Sequence, residues 1–223
     1  MATATREMTF LLAGPERRLL VAIASRLPRA VVSDHLTALG AVGALFTGIA
    51  YASSSIHVYW LWIASLMLAV NWFGDSLDGT LARVRRAERP KYGYYLDHIV
   101  DAFSTAAIGI GIGLSPWVEL PLALALVVLY LTLSINVYLE SHVFGVFQLG
   151  YGRVGPTEVR IILILANTLL FAASGASAHV VWIAANTTIA VASIAMLATL
   201  VGRFGRNLQR LAKLEPGRQQ GAA

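Results

Sequence analysis

Six stretches of the chain stay apolar for close to twenty residues apiece, about the length a helix needs to cross a hydrocarbon core of ~30 Å. They predict helices over Leu36–Ser54, Val58–Leu81, Tyr94–Leu114, Leu120–Ser141, Val159–Ser174 and Val180–Gly202, the fifth being the shortest. Ahead of them, Pro15–Leu27 sets Leu19, Leu20, Ile23 and Leu27 on one face and Arg17, Arg18 and Arg26 among its polar positions. That pattern predicts an amphipathic helix lying on a membrane surface. The expected fold class is therefore an all-α integral membrane protein, with six transmembrane helices preceded by an N-terminal amphipathic interfacial helix. Residues 1–30 form the cytoplasmic and interfacial segment, 31–205 the six-helix membrane domain, and 206–223 a basic cytoplasmic tail that is disordered at its end.

Composition sharpens this picture. Hydrophobic residues make up 57% of the chain and charged residues only 13%, so the bilayer is the expected solvent. Met1–Phe10 is polar, unlike a cleavable signal peptide. The absence of cysteine excludes disulfides, zinc–thiolate sites and thiol nucleophiles. All 17 Lys and Arg fall before the first span, at the second-to-third and fourth-to-fifth connections, or after the sixth span. Both termini are thus expected in the cytoplasm. The net charge of +5 belongs to one face, where anionic lipid headgroups explain it better than nucleic acid does. Tyr51, Tyr59, Trp60 and Trp62 read as an aromatic belt at the opposite interface. The run Ala106–Gly113 predicts close helix packing.

Four aspartates interrupt this apolar sequence. Asp75 and Asp78 are an i,i+3 pair and Asp97 and Asp101 an i,i+4 pair, so on helices each pair shares one face. A carboxylate at membrane depth costs a few kcal/mol. Two such helices side by side would direct four carboxylates to one point, where they need a cation. Hard oxygen ligands suit Mg²⁺, Mn²⁺ or Ca²⁺. Gly79 and Ala82 leave room for a phosphate or nucleotide near the backbone, and Arg83 offers a fixed positive fork.

Asp75-x2-Asp78-Gly79-x2-Ala82-Arg83, nine residues, then Gly93-x3-Asp97-x3-Asp101 resembles the signature of the CDP-alcohol phosphatidyltransferases, with all eight fixed positions present. Ser33-Asp34-His35-Leu36-Thr37 keeps the Leu-Thr of a further family stretch but replaces its Pro-Asn with Ser-Asp. The resemblance implies a six-helix membrane enzyme, often homodimeric, in a bacterial-type cell membrane with its active site facing the cytoplasm. It implies a CDP-linked lipid donor, an alcohol acceptor and Mg²⁺ (or Mn²⁺) as cofactor, with CMP leaving. Carried over, Asp75, Asp78, Asp97 and Asp101 hold metal. Thr37, Asp75, Asp78, Gly79, Ala82, Arg83 and Gly93 accommodate CDP, and Asp101 is the general base.

The acceptor side is drawn from polar residues on the same side of the membrane. His98, Asn136, Glu140, Arg153, Glu158 and Arg160 are the candidates. Arg153 and Arg160 match the region where relatives hold an acceptor phosphate, with snorkelling to lipid phosphates as the alternative. The expected reaction is phosphatidyl transfer from CDP-diacylglycerol to a small, optionally phosphorylated alcohol. Gly155-Pro156-Thr157-Glu158 and Asp97-His98-x-x-Asp101 also resemble the choline/ethanolamine phosphotransferase branch, which acts on diacylglycerol. A Mg²⁺ transporter or channel is the alternative of another class, disfavoured because the carboxylates cluster at one membrane face.

The charge asymmetry is directly testable in a cysteine-free chain. A cysteine introduced as Ser177→Cys is expected to react with an impermeant thiol reagent on intact cells, and Gln219→Cys is expected not to. Outside labelling of Gln219→Cys would overturn the topology.

Overall fold

Local sequence sets the helix boundaries. The computed structural model describes residues 12–144, 155–175 and 177–215. It has seven α-helices among them: α1 Ala13–Ala24, α2 Ser33–Ser53, α3 Trp60–Val84, α4 Pro90–Gly113, α5 Leu120–Phe144, α6 Pro156–Ala172, followed by a 3₁₀ turn at Ala173–Gly175, and α7 Ala178–Leu214. Pro90 and Pro156 open α4 and α6 at the position where a missing N–H costs nothing. Glu158 reaches back to the Gly155 N–H at 2.9 Å, the carboxylate half of a capping box. α3 stops in a Schellman turn. The Arg86 N–H donates to the Arg83 carbonyl and the Ala87 N–H to that of Ala82, with Arg86 at φ 52° where glycine is usual.

Small residues then decide how the helices stack. α2 packs against both α3 and α4; α5 packs against α4 and α7, α6 against α3, and α1 against α3. A Cβ at Gly43 would come within 2.7 Å of the Asn71 backbone N. Cβ atoms at Gly74 and Gly48 would overlap the α2 backbone and the Ala107 carbonyl respectively. Gly111 on α4 meets Gly48 and Gly109 meets Val127 on α5, so the glycine-rich run of α4 is used on both sides. Such backbone contact takes the place of hydrophobic driving force between helices in lipid. It seats α3 and α4, the two helices that carry the aspartates, against a common support.

Four helices among the described residues are long and apolar enough to cross a membrane: α2, α5, α6 with its 3₁₀ turn, and α7. α3 and α4 have the length, 25 and 24 residues, but their charged motif dilutes the apolar run.

Three expectations change. The apolar face of α1 is covered by protein: Leu20 and Ala24 are buried with Leu36, Leu77 and Leu81, and Ile23 and Leu27 pack on that cluster. Leu19, expected on the same face, is exposed. Tyr51 is no belt residue but lies buried with Leu61 and Ala64, whereas Tyr59, Trp60 and Trp62 are exposed. The helix expected to end at Gly202 continues to Leu214, taking in the first part of the predicted tail; residues 216–223 lie outside the described residues.

Gly48→Val tests the α2–α4 contact. Its side chain would have to displace the Ala107 carbonyl, and overpacking of this kind costs about 1–3 kcal/mol. A lowered thermal midpoint in detergent is the expected outcome; an unchanged midpoint would mean that α4 is not held there.

Candidate functional site

Beside the α2 support the motif helices, α1 and the start of α6 enclose a cavity of about 1410 Å³. Every motif side chain lines it: Asp75, Asp78, Gly79, Ala82 and Arg83 from α3, and Gly93, Asp97 and Asp101 from α4. One carboxylate oxygen from each of Asp75, Asp97 and Asp101 lies within 4.8 Å of the others. The helical spacing therefore does what the sequence requires, bringing carboxylates from two helices to one point.

Asp78 is in the same cavity but engaged differently. Thr37 Oγ1 donates to its Oδ2 at 2.6 Å, and the Gly79 N–H donates to its Oδ1. Ser33 Oγ donates to the Asp78 carbonyl at 2.9 Å rather than capping α2. Thr37 thus fixes the rotamer of a motif carboxylate across the α2–α3 contact. Around Gly79 the nearest foreign atom is a guanidinium nitrogen of Arg83, 3.3 Å from where a Cβ would stand, and nothing lies within 4 Å at Gly93. Gly93 leaves open space for a ligand, and at Gly79 only the end of the Arg83 side chain stands near. Arg83 Nη2 donates to Thr80 Oγ1 at 3.0 Å, which orients the guanidinium.

Arg160 enters this site from α6. Its Nη2 donates to Asp75 Oδ2 at 2.8 Å and its Nε to Asn71 Oδ1 at 2.7 Å. Asn71, buried, donates in turn to the Gly40 carbonyl at 2.9 Å. The Arg160 side chain is 12% exposed and its Nη1 is buried without a hydrogen-bond partner. It is turned into the protein, which removes the snorkelling alternative. Stranding either charge of so enclosed a pair costs about 3–5 kcal/mol.

The other acceptor candidates divide. His98 lines the cavity, its Nδ1 2.7 Å from the Tyr94 carbonyl and 3.7 Å from Asp97 Oδ2. Its ring packs between Tyr94 and Tyr138, with centroids at 4.0 and 4.5 Å. Glu158 lines the cavity and accepts from the Leu12 N–H at 3.0 Å. Asn136 and Glu140 are not brought to it. Asn136 donates to Glu140 at 2.6 Å, and the same carboxylate receives Arg203 and Asn207 from α7, joining α5 to α7. Arg153 lies outside the described residues.

Several contributors escaped the sequence reading. Asn71 was one more polar residue in an apolar run, although it stands one turn before Asp75. Arg89 pairs with Asp34 on the cavity wall. Arg85 donates to the carbonyls of Leu27, Pro28 and Val31, fixing the α1–α2 connection. Glu16 lines the cavity and its Oε1 receives Trp72 Nε1 at 2.7 Å, Ser76 Oγ at 3.2 Å and Thr157 Oγ1 at 2.7 Å. Nothing in the Glu16-Arg17-Arg18 cluster distinguished this carboxylate from solvated charge.

Comparison with known proteins agrees with this geometry. The sequence model of the CDP-alcohol phosphatidyltransferases matches residues 30–201. A phosphatidylinositol phosphate synthase of Cutibacterium acnes (strain DSM 16379 / KPA171202) is 34% identical over 87 residues, 39% of this chain and 40% of that protein. The alignment thus spans well under half of the relative. Family members are generally dependent on a divalent metal, and the carboxylate set here is of the right chemistry to hold one.

The three converging carboxylates are expected to act as one site. Asp75→Asn, Asp97→Asn and Asp101→Asn should each weaken Mn²⁺ binding about tenfold or more, since each removes a charged oxygen ligand. Electron paramagnetic resonance titration of the purified protein measures this. Unchanged isotherms in all three variants would dissociate the cluster from metal binding.

Proposed function

The chain belongs to the CDP-alcohol phosphatidyltransferase family, and from that premise we propose that it transfers a phosphatidyl group from CDP-diacylglycerol to the hydroxyl of a phosphorylated polyol, with release of CMP. Family membership makes it a membrane transferase of phosphate-containing groups in phospholipid synthesis. The finer reading rests on one observation above all. Three carboxylates, a fourth held by Thr37, and Arg83 face a single cavity of about 1410 Å³. That volume exceeds the ~300–1,000 Å³ of an ordinary small-molecule site, as a nucleotide and a lipid headgroup held together require.

The residues divide the work. Asp75, Asp97 and Asp101, with Asp78 beside them, would hold Mg²⁺ or Mn²⁺. When bound, the ion neutralises the diphosphate and the charge developing on departing CMP. The open backbone at Gly93 and the small Gly79 and Ala82 admit the cytidine diphosphate, and Arg83 offers its guanidinium to a phosphate oxygen. Asp101 accepts the proton of the acceptor hydroxyl as that oxygen bonds to the phosphatidyl phosphorus. The bond from this phosphorus to the CMP oxygen breaks, and CMP leaves with the electron pair.

For the acceptor, the similarity to a phosphatidylinositol phosphate synthase supports a phosphorylated inositol. So does Arg160, which lines the cavity and whose buried Nη1 has no hydrogen-bond partner. His98, between two tyrosines, and Glu158 complete this side. We propose further that α3 and α4 complete six crossings, with the aspartates near the cytoplasmic face.

Purified protein given CDP-diacylglycerol and a panel of free and phosphorylated polyols is expected to release CMP and form a phospholipid with a phosphorylated polyol headgroup, identified by mass spectrometry. Product only from CDP-choline and diacylglycerol would establish the other branch instead. Asp101→Asn keeps shape and removes basicity. It is expected to lower kcat by about 10²–10⁴-fold, while calorimetric affinity for the CDP donor changes much less. Near-normal turnover would show that Asp101 is a ligand and not the base.

A further inference from the structure

α3 offers two neighbouring columns of polar side chains, each one turn long: Asn71 with Asp75, and Trp72 with Ser76. The first column is joined to α6 through Arg160. The second is joined to α6 through Glu16, whose Oε1 collects Trp72, Ser76 and also Thr157 of α6. Thr157 stands one turn before Arg160 on α6. Two ties thus run side by side between the same two helices, and the second is supplied by a third element, α1. Glu158 returns the connection by accepting the Leu12 N–H at the start of α1.

We infer that Glu16 is a positioning residue for the transferase site: through Ser76 and Thr157 it seats the start of α6, and with it Arg160, against the Asp75 face of α3. The inference rests on the reading of Arg160 as an acceptor-side group. An arginine with its Nε and Nη2 already committed and its Nη1 buried presents its charge to an incoming phosphate only while its own helix is held in place. A displacement near 1 Å costs on the order of 10²-fold in such sites. Glu16 makes no contact with the converging carboxylates, so its loss should spare the donor end. Its contribution is to the acceptor end.

The test uses the absence of native cysteine. Glu16→Ala is expected to raise the acceptor KM about tenfold or more, with the CDP-donor KM moving less than about threefold. Glu16→Gln keeps an amide oxygen able to accept the same three hydrogen bonds, and is expected to stay within about threefold of the parent in acceptor KM. Ser76→Cys with Thr157→Cys in the Glu16→Ala background, joined by a short bifunctional methanethiosulfonate, should recover most of the lost acceptor affinity. The hydrogen–deuterium exchange rate of the first turn of α6 provides a readout without turnover, and it is expected to be faster in Glu16→Ala than in the parent protein. If the parent protein proved not to be a transferase, this rate would still report on the tie. An unchanged acceptor KM in Glu16→Ala would overturn the inference. So would an equal loss in the Gln variant, donor and acceptor constants rising together with a collapse of thermal stability, or a cross-linked protein that stays impaired.

Discussion

Negative charge concentrated between two helices is the constraint on which this structure turns. Carboxylates from α3 and α4 approach within 4.8 Å of one another, an arrangement that is unfavourable unless positive charge is supplied. Arg160 supplies part of it from α6, at 2.8 Å from Asp75. The rest could be met by a divalent ion, for which the carboxylate set is of the right chemistry.

Holding those carboxylates in place takes a rigid frame, and the frame is made of absent side chains. α2 carries no acid of the motif, yet its glycines let α3 and α4 approach the same backbone. Thr37 sits on this helix and reaches Asp78, so the supporting element also orients part of the chemistry. α1 and α6 close the cavity from the other side through Glu16 and Glu158. The candidate site is thus assembled from a pair of motif helices and two further elements joined by carboxylate–hydroxyl and carboxylate–amide contacts.

The motif was legible because its chemistry is local. Each aspartate pair lies within one turn of helix, and the small and basic residues at fixed offsets define a ligand-facing strip without any knowledge of neighbours. Four helices long and apolar enough to cross a membrane were legible from apolar length, whereas α3 and α4 lose part of that signal to the motif they carry. Pairings between distant helices were not legible. Glu140 looked like an acceptor residue because it lies four positions from Asn136, but its carboxylate is taken by Arg203 and Asn207 more than sixty positions away. The apolar positions of α1 predicted amphipathicity and did not reveal what they cover; Leu36, Leu77 and Leu81 do so in place of lipid. Tyr51 read as interfacial by residue type, whereas its position against Leu61 and Ala64 buries it.

The length of α7 carries a consequence for the surrounding bilayer. Its 37 residues make a rod of roughly 55 Å, against a hydrocarbon core of ~30 Å. Near the end of its apolar part, Arg203 and Asn207 are bound to Glu140, and Arg210 lies over the Phe144 ring at 4.4 Å. α7 therefore cannot slide along α5 to match a thicker or thinner membrane. Thickness changes must be taken up by tilting the α5–α7 pair together or by deforming the adjacent lipid, at fractions of a kcal/mol per ångström. Because α5 also packs against α4, a tilt of that pair would press on the helix that carries Asp97 and Asp101.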